Sequence, residues 1–531
     1  MPPGLSFTFC RLTWAFTMRS PKQPAKLAML LLLLALLLLC NGVGCVNDTT
    51  IHENSVDLQA LLDFKKGITD DPQRALSNWA TTAHFCRWNG VICTTTPPFR
   101  VMWLILGSLD LAGQISPSLG NLTFLSFLDL SVNKFVGPLP SLGHLQQLQT
   151  IYLYENKLNG KIPDSLTNCS NLTNLDLSAN SLVGEIPPEL HILSNLVYLN
   201  LSQNSLVGVI PPKVGFLSNL STLDLSKNSL VGVIPPKLAF LPNLVSLGLS
   251  TNMLVGQIPP KLGFLQSLEY INLRANKLEG RIPDELWKSP KLQSLILDEN
   301  RLSGELPHAI LNLPALRYLS LGSNKLGKAL PPNIGNLLPS LIELSLYNNT
   351  FEGQIPASLG NILGLEKIYL LNNKFTGRIP ASFGKLSNLT TLNLEHNQLE
   401  ARGDEDWEFF NALTNCQSLN TLSLSFNKLQ GSIPQSVGNL STSLEILFLA
   451  ENSLSGQVPW NIGKLGALTR LGLDGNNFSG EIGGWIGNLK MLQYLNLQSN
   501  SFTGPIPASI ENLARLTYLY LRENEFEGMI P

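Results

Sequence analysis

A pair of cysteines, ten glycosylation sequons and a set of tyrosines and charges lodged between leucines are the places where this chain could do chemistry. Cys86 and Cys93 stand seven residues apart, and in a secreted chain such a pair reads as a structural disulfide. The competing use, a metal half-site, lacks a second ligand pair. N-x-[ST] acceptors occur at Asn47, Asn121, Asn168, Asn171, Asn200, Asn219, Asn348, Asn388, Asn439 and Asn477. On a secreted chain these predict N-linked glycans, with Asn168 and Asn171 close enough to compete. Turnover is not among the chemistries on offer. The sequence contains no glycine-rich phosphate loop leading to a lysine, no H-R-D, no D-F-G and no H-E-x-x-H. Its six histidines, at 52, 84, 144, 191, 308 and 396, are widely scattered. The reading is therefore of a chain that is not an enzyme, with no catalytic residue, no metal site and no cofactor.

The secreted setting is itself legible. Arg11, Arg19, Lys22 and Lys26 precede the apolar run "LAMLLLLLALLLLC", Leu27 to Cys40, and the small residues of "CNGVGC" follow. As a helix that run spans about 21 Å, short of a hydrocarbon core of about 30 Å. Residues 1–45 thus read as a signal peptide region, with Met18 as an alternative start that would give an ordinary leader. No second long apolar run follows, so no membrane span is expected apart from the cleavable leader. Charged residues are only 14% of the chain and the net charge is −2, which gives no basic excess for nucleic acid.

The elements that must position these groups announce themselves by repetition. Ser205–Asn228 and Ser229–Asn252 are adjacent 24-residue segments identical at 17 positions. Extended along the chain, the frame L-x-x-L-x-L-x-x-N-x-[LF]-x-G-x-[ILV]-P places Asn at 133, 156, 180, 204, 228, 252, 276, 300, 324, 349, 373, 397, 427, 452, 476, 500 and 524. A degenerate first copy carries Leu109 there, making about eighteen coils, and one gap, from Asn397 to Asn427, is 30 residues long. In "TNLDLSAN", Leu175 and Leu177 alternate with polar neighbours, as a strand with one buried face requires. Asn180 is expected to bond the backbone turning inward, Leu182 and Ile186 to re-enter the core, Gly184 to permit a bend, and Pro187 to fix φ. One coil cannot bury its apolar side alone; stacked coils share a spine. Lys328 stands where the frame has Gly, and Gly483 and Ser116 where it has Pro. Cys169 and Cys416 occupy equivalent coil positions far apart and read as buried free thiols.

This frame is that of leucine-rich repeats, and its G-x-I-P half, as in "GEIP" (Gly184 to Pro187), resembles the plant extracellular class. The resemblance implies an α/β solenoid: a right-handed superhelix with a concave parallel β-sheet, a second shorter sheet beside it and an N-terminal helical cap. "DLQALLDFKKGITDDPQRALSNW" and "FCRWNGVIC" resemble the cap of plant receptor kinases, giving a cap with its disulfide over 46–94 and repeats over 95–531, the last incomplete. Leu58, Leu61, Leu62 and Phe64 make the cap helix amphipathic, able to cover the first coil. The irregular insert 399–416, within "LEARGDEDWEFFNALTNCQSL", resembles one found in the receptor-kinase subfamily of the rice bacterial-blight receptor and the elongation-factor-Tu receptor. Members of that subfamily continue into a membrane helix and a Ser/Thr kinase. This chain shows neither, and it breaks off within a coil, at "FEGMIP".

On each strand the residues flanking the core leucines face outward. Near Asn228 and Asn252 these are small; from the coil of Asn324 they enlarge to Arg317, Tyr318, Tyr347, Lys367, Tyr369, Glu395 and His396. Aromatics and Arg are frequent binding anchors, although exposed aromatics on strands also simply pack sideways. A glycan on Asn348 would sit within this patch, and one on Asn200 would obstruct the concave face. The expected function is the ligand-recognition ectodomain, truncated, of a plant cell-surface receptor-like kinase in immune perception. Its expected partners are a peptide or protein ligand and a co-receptor with leucine-rich repeats. The alternatives are a soluble apoplastic binding or inhibitor protein and a truncated gene product without independent function. The expected location is the secretory pathway, then the plasma membrane for a full-length receptor and the extracellular space otherwise.

Overall fold

The computed structural model describes residues 54–80, 82–307 and 312–531. The signal region, the sequon at Asn47 and the histidines at 52 and 308 lie outside the described residues.

Each coil contributes one three- to five-residue strand to a main sheet, from Val101–Ile105 through Asn174–Asp176, Tyr198–Asn200 and Thr222–Asp224 to Tyr518–Tyr520. Successive strands pair in parallel and in register, each with the coil before and the coil after. Val91–Cys93 joins this open ladder antiparallel at its first edge. After the asparagine turn the chain enters a second parallel run, such as Ser181–Glu185 and Ser205–Val207. That run forms blocks of five and thirteen strands, the cap strand Ile68–Asp70 pairing antiparallel at the edge of the first, with an isolated bridge between Val209 and Val231 at their junction. Short 3₁₀ turns such as Pro188–Ile192 and Pro212–Phe216 carry the chain back. The α part of the expected α/β solenoid is slight: among the described residues the α-helices are Ser55–Lys66 (α1), Ile334–Leu337 and Glu408–Ala412. The return turns approach one another closely: a Cβ at Gly215 in one 3₁₀ turn would meet the Lys237 carbonyl of the next coil.

The spine is aliphatic. In one coil Leu175, Leu177, Leu182, Ile186, Leu190, Leu193 and Leu196 are each at most 2% exposed, and each such side chain stabilises the stack by about 1.5–3 kcal/mol. Where neighbouring coils both place Phe at the frame's [LF] position, the rings stack, as Phe351 does on Phe375 at 6.3 Å.

The asparagines do more than bond their own turn. Asn276 Nδ2 donates to the carbonyls of Leu273 (3.1 Å) and Arg274 (3.3 Å) and also to Leu249 of the preceding coil (3.0 Å). Its Oδ1 accepts the N–H of Leu254, again in the preceding coil, at 3.0 Å. All seventeen frame asparagines accept such a bond across coils. The residue before each of them is left-handed, whatever its type: Val132 (φ 53°), Ala179 (φ 52°), Thr251 (φ 54°).

Lys328 keeps the frame's bend without the frame's glycine: its φ is 67°, where the equivalent Gly304 and Gly353 have 98° and 76°. A left-handed L-residue costs about 1–2 kcal/mol. Lys328→Gly is therefore expected to raise stability by about 1 kcal/mol, allowing for the looser unfolded chain. Thermal unfolding checks this, and an unchanged or lower Tm would contradict it.

Helix α1 begins at Asn54, whose Oδ1 accepts the N–H groups of Val56 and Asp57 at 3.1 and 3.0 Å. Leu61 and Phe64 are fully buried, Leu58 and Leu62 pack half-buried against the core, and Trp79 stacks on Trp88 beside them. Cys86 and Cys93 are disulfide-bonded across a Cα separation of 5.6 Å. Cys169 and Cys416 are buried free thiols, pushed up to about 11 by desolvation. In the insert, Leu399 and the two residues after it still belong to the strand Gln398–Ala401. Irregularity starts beyond it, where Trp407, Phe409 and Phe410 bury themselves and Trp407 Nε1 donates to the Gln430 carbonyl at 3.1 Å.

Candidate functional site

The outward face of the main sheet changes character along the stack. In the N-terminal coils its polar groups are spent on the fold. Asp129 and Asp176 each accept from the backbone N–H and the hydroxyl of the serine two residues on, at 2.6–3.0 Å. Asn200 does the same with Ser202, and its Nδ2 donates to Asp176 and to the Tyr198 hydroxyl. Asn200 is half-buried and fully used, unlike the other eight described sequon asparagines, which are exposed.

From the coil of Asn300 onward the groups are less settled. The strand register sets Tyr318 beside Glu343 and Glu343 beside Lys367; in the parallel column it sets Ser320 beside Ser345 and Ser345 beside Tyr369. Tyr347 lies flat over Gly322, where any Cβ would overlap its ring. Glu343 is 4% exposed; its Oε2 is 3.7 Å from Lys367 Nζ, and its Oε1 has no hydrogen-bond partner. The hydroxyl of Ser345, fully buried on the same face, is also unpartnered. Asp298 accepts from Ser320 (2.6 Å) and from the Gly322 N–H (2.9 Å), and Arg274 pairs with Glu299 at 2.6 Å. Tyr318, Tyr347 and Tyr369 stand half-buried around these acceptors. Burial pushes the Tyr347 and Tyr369 hydroxyls up to about 12.

Of the residues singled out from sequence, Tyr318, Tyr347, Lys367 and Tyr369 thus converge on one patch. Arg317 precedes its strand and is exposed at the patch's border. Glu395 accepts from the Ser423 hydroxyl, two coils beyond Tyr347. His396 is not on the sheet face: it occupies the left-handed turn (φ 50°) and stacks on Phe426 at 4.0 Å. Asn348 lies in the equivalent turn of its own coil, beside Tyr347, and donates to Ser323. Glu343, Asp298 and Arg274 were not singled out. Glu343 shares a coil position with Tyr318 and Lys367, so alignment of the coils carried the signal.

Burial also raises the carboxyls of Asp176, Asp224, Asp298 and Glu343 above their ordinary range, and that of Asp474 to about 6. A carboxyl raised in the fold holds a proton that the unfolded chain releases. Its contribution is complete below the unfolded value of 3.8 and is lost as pH rises through about 6. The expected result is a lower Tm at pH 7.5 than at pH 4.5, with a smaller difference in Asp474→Asn. Equal slopes for the two proteins would contradict the assignment to Asp474.

The leucine rich repeat N-terminal domain family matches residues 54–94. Leucine rich repeat families match 194–254, 267–326 and 467–526, and six single repeats between 147 and 465. Among curated Arabidopsis thaliana proteins, the LRR receptor-like serine/threonine-protein kinase GSO2 is 36% identical over 145 residues, 26% of this chain and 11% of that protein. The kinase EFR is 40% identical over 107 residues, 20% of this chain and 10% of that protein. The matched stretches therefore span about a tenth of either relative. Among solved structures, the plant peptide hormone receptor RGFR1 in complex with RGF2 has a TM-score of 0.76 at 34% identity, covering 83% of this chain and 72% of that one. The Arabidopsis receptor kinase HAESA, with the peptide hormone IDA and the co-receptor SERK1, has a TM-score of 0.68 at 32% identity, covering 90% and 87%. No helix among the described residues is long and apolar enough to cross a membrane.

Proposed function

We propose, from the premise that this chain belongs to the leucine-rich-repeat family and is homologous to plant receptor-kinase ectodomains, that it recognises a peptide or protein epitope in immune perception at the cell surface. One observation carries the reading: on the main sheet, the buried acceptors Glu343 Oε1 and Ser345 Oγ are left unpartnered inside a rim of Tyr318, Tyr347, Lys367 and Tyr369. An unpaired buried acceptor costs about 1–3 kcal/mol, which a ligand's donor would recover. Tyrosines supply contact area at small entropy cost, and a stack this rigid loses little freedom on binding. The structural neighbours bound to peptide hormones support a peptide ligand, and HAESA with SERK1 supports a co-receptor. The likeness of the insert 399–416 to the one found in the elongation-factor-Tu receptor's subfamily is the ground for the immune role. Signalling would fall to a kinase of the kind these relatives carry outside the matched region.

The test is retention of peptides from plant and bacterial extracts on the immobilised protein, identified by mass spectrometry. For a retained peptide, Tyr318→Ala, Tyr347→Ala and Tyr369→Ala combined should weaken binding by about thirtyfold or more, as loss of one hot-spot side chain does. Retention of no peptide, or unchanged affinity in a variant that still folds, would overturn the proposal.

A further inference from the structure

The return turns carry an apolar column that the stack of coils does not use. Ile192, Phe216, Phe240 and Phe264 end four successive 3₁₀ turns, and each is 50–62% exposed. The same turn ends in Asn121, Asn361 or Lys385 in other coils, so a polar residue serves the fold there equally well. A run of large exposed apolar side chains marks a surface that meets something else. One sequon opens beside it. Asn219 stands three residues after Phe216, and both are exposed. The chain between them is tight: the Ser218 N–H donates to the Phe216 carbonyl at 2.9 Å and the Leu220 N–H to the Leu217 carbonyl at 2.8 Å. Phe216 and Asn219 thus emerge from one turn, on the solvent side of the buried Leu217. Neighbouring coils treat the two sides of the ring differently. From the following coil, Lys237 Nζ lies over it, 4.8 Å from the centroid. Toward the preceding coil stand His191, tilted edge-on at 6.5 Å, and the exposed Ile192. Asn219 Nδ2, the atom that a glycan joins, leans to that same preceding coil and donates to the Ser194 carbonyl at 3.0 Å. That bond uses one of its two N–H groups and leaves the other for a sugar.

We infer that Asn219 carries an N-linked glycan whose first sugars fold back over Phe216 and Ile192, covering the N-terminal half of the column. N-acetylglucosamine presents a face of C–H groups, which the face of an aromatic ring accepts. Its hydroxyls and acetamide stay outward, so a polar surface replaces an apolar one. Asn171 and Asn388 are sequons at the same place in their own coils, but the residues three before them are Asn168 and Lys385. Of these three acceptors, Asn219 is the one with a ring within reach of its glycan.

The native secreted protein is incubated with a peptide-N-glycosidase in heavy-oxygen water, and mass spectrometry follows glycan release site by site. Release from Asn219 is expected to be about fivefold or more slower than from Asn388, because the sugars must first leave the ring. Phe216→Ala, at an exposed position where a polar residue also serves, should leave the fold intact and bring the two rates within about twofold of each other. An unoccupied Asn219, equal rates at the two sites in the parent, or no effect of Phe216→Ala would each overturn the inference. So would self-association of the fully glycosylated protein that Phe216→Ala abolishes in sedimentation, since a second copy of the chain would then cover the column. Peptide recognition by the tyrosine patch is tested separately and is untouched by any of these results.

Discussion

Asn276→Ala is expected to lower the stability of the stack by about 3–5 kcal/mol, the sum of two or more buried backbone groups losing their partners. Asn276 is 8% exposed and serves four backbone groups, two of them in the preceding coil. Alanine would leave the Leu249 carbonyl and the Leu254 N–H facing each other across an empty space too dry to replace the amide. Because each coil contacts only its neighbours, the damage should be local. Hydrogen exchange should accelerate in the coils on either side of residue 276 before it does so near either end. Asn195 offers the control: its Nδ2 also bridges to the preceding coil, to Ser170 at 3.0 Å, but in an exposed position. Asn195→Ala should stay within about 0.5 kcal/mol of the parent. If the two substitutions cost the same in urea unfolding, the ladder is ornament and the apolar spine alone holds the coils.

That ladder shows where the sequence speaks and where it stops. The leucine alternation in "TNLDLSAN" was enough to place the strand, and Gly184 does take the left-handed bend, at φ 84°. Asn180 was expected to bond its own turn, and it does, through Leu177 and Ser178; but it also reaches Leu153 and Leu158, 27 and 22 residues away. Those partners are fixed by how one coil stacks on another, which no single coil encodes. The left-handed residue before each asparagine was invisible because Val132, Lys227 and Thr251 share no chemistry, only a place in the turn. The candidate site followed the same division. Large side chains such as Tyr318 and Tyr369 stood out by type, whereas Glu343 looked like any solvated charge. Its burial and its unpartnered oxygen arise from the tyrosines and Lys367 around it, a property of the assembled face. His396 stood out by type too, yet its turn removes it to the flank, where Phe426 holds it.

Asp57→Ala is expected to unseat the cap at a cost of about 3–5 kcal/mol, the usual consequence of removing one partner from a buried ion pair. From sequence Asp57 is an acidic residue in the first turn of a helix, where such residues commonly face solvent and the helix dipole. In the fold it is fully buried. Its Oδ2 accepts the Val101 N–H at 2.8 Å and Arg100 Nε at 3.0 Å, and its Oδ1 accepts Arg100 Nη2 at 2.8 Å. One carboxylate thus ties helix α1 to the first strand of the main sheet, and Arg100 is held from its far side by Thr123 and the face of the Phe124 ring. Removing the carboxylate strands a largely buried guanidinium and the Val101 N–H together. Hydrogen exchange should rise over residues 55–66 and 101–105 while the central coils remain protected. The expected coupling is strong: in a double-mutant cycle, Arg100→Met should cost much less in the Asp57→Ala background than in the parent, because the stranded charge is then gone. Additive losses, or a cost below about 1 kcal/mol for Asp57→Ala, would mean that the apolar face of Leu61 and Phe64 seats the cap without the clamp.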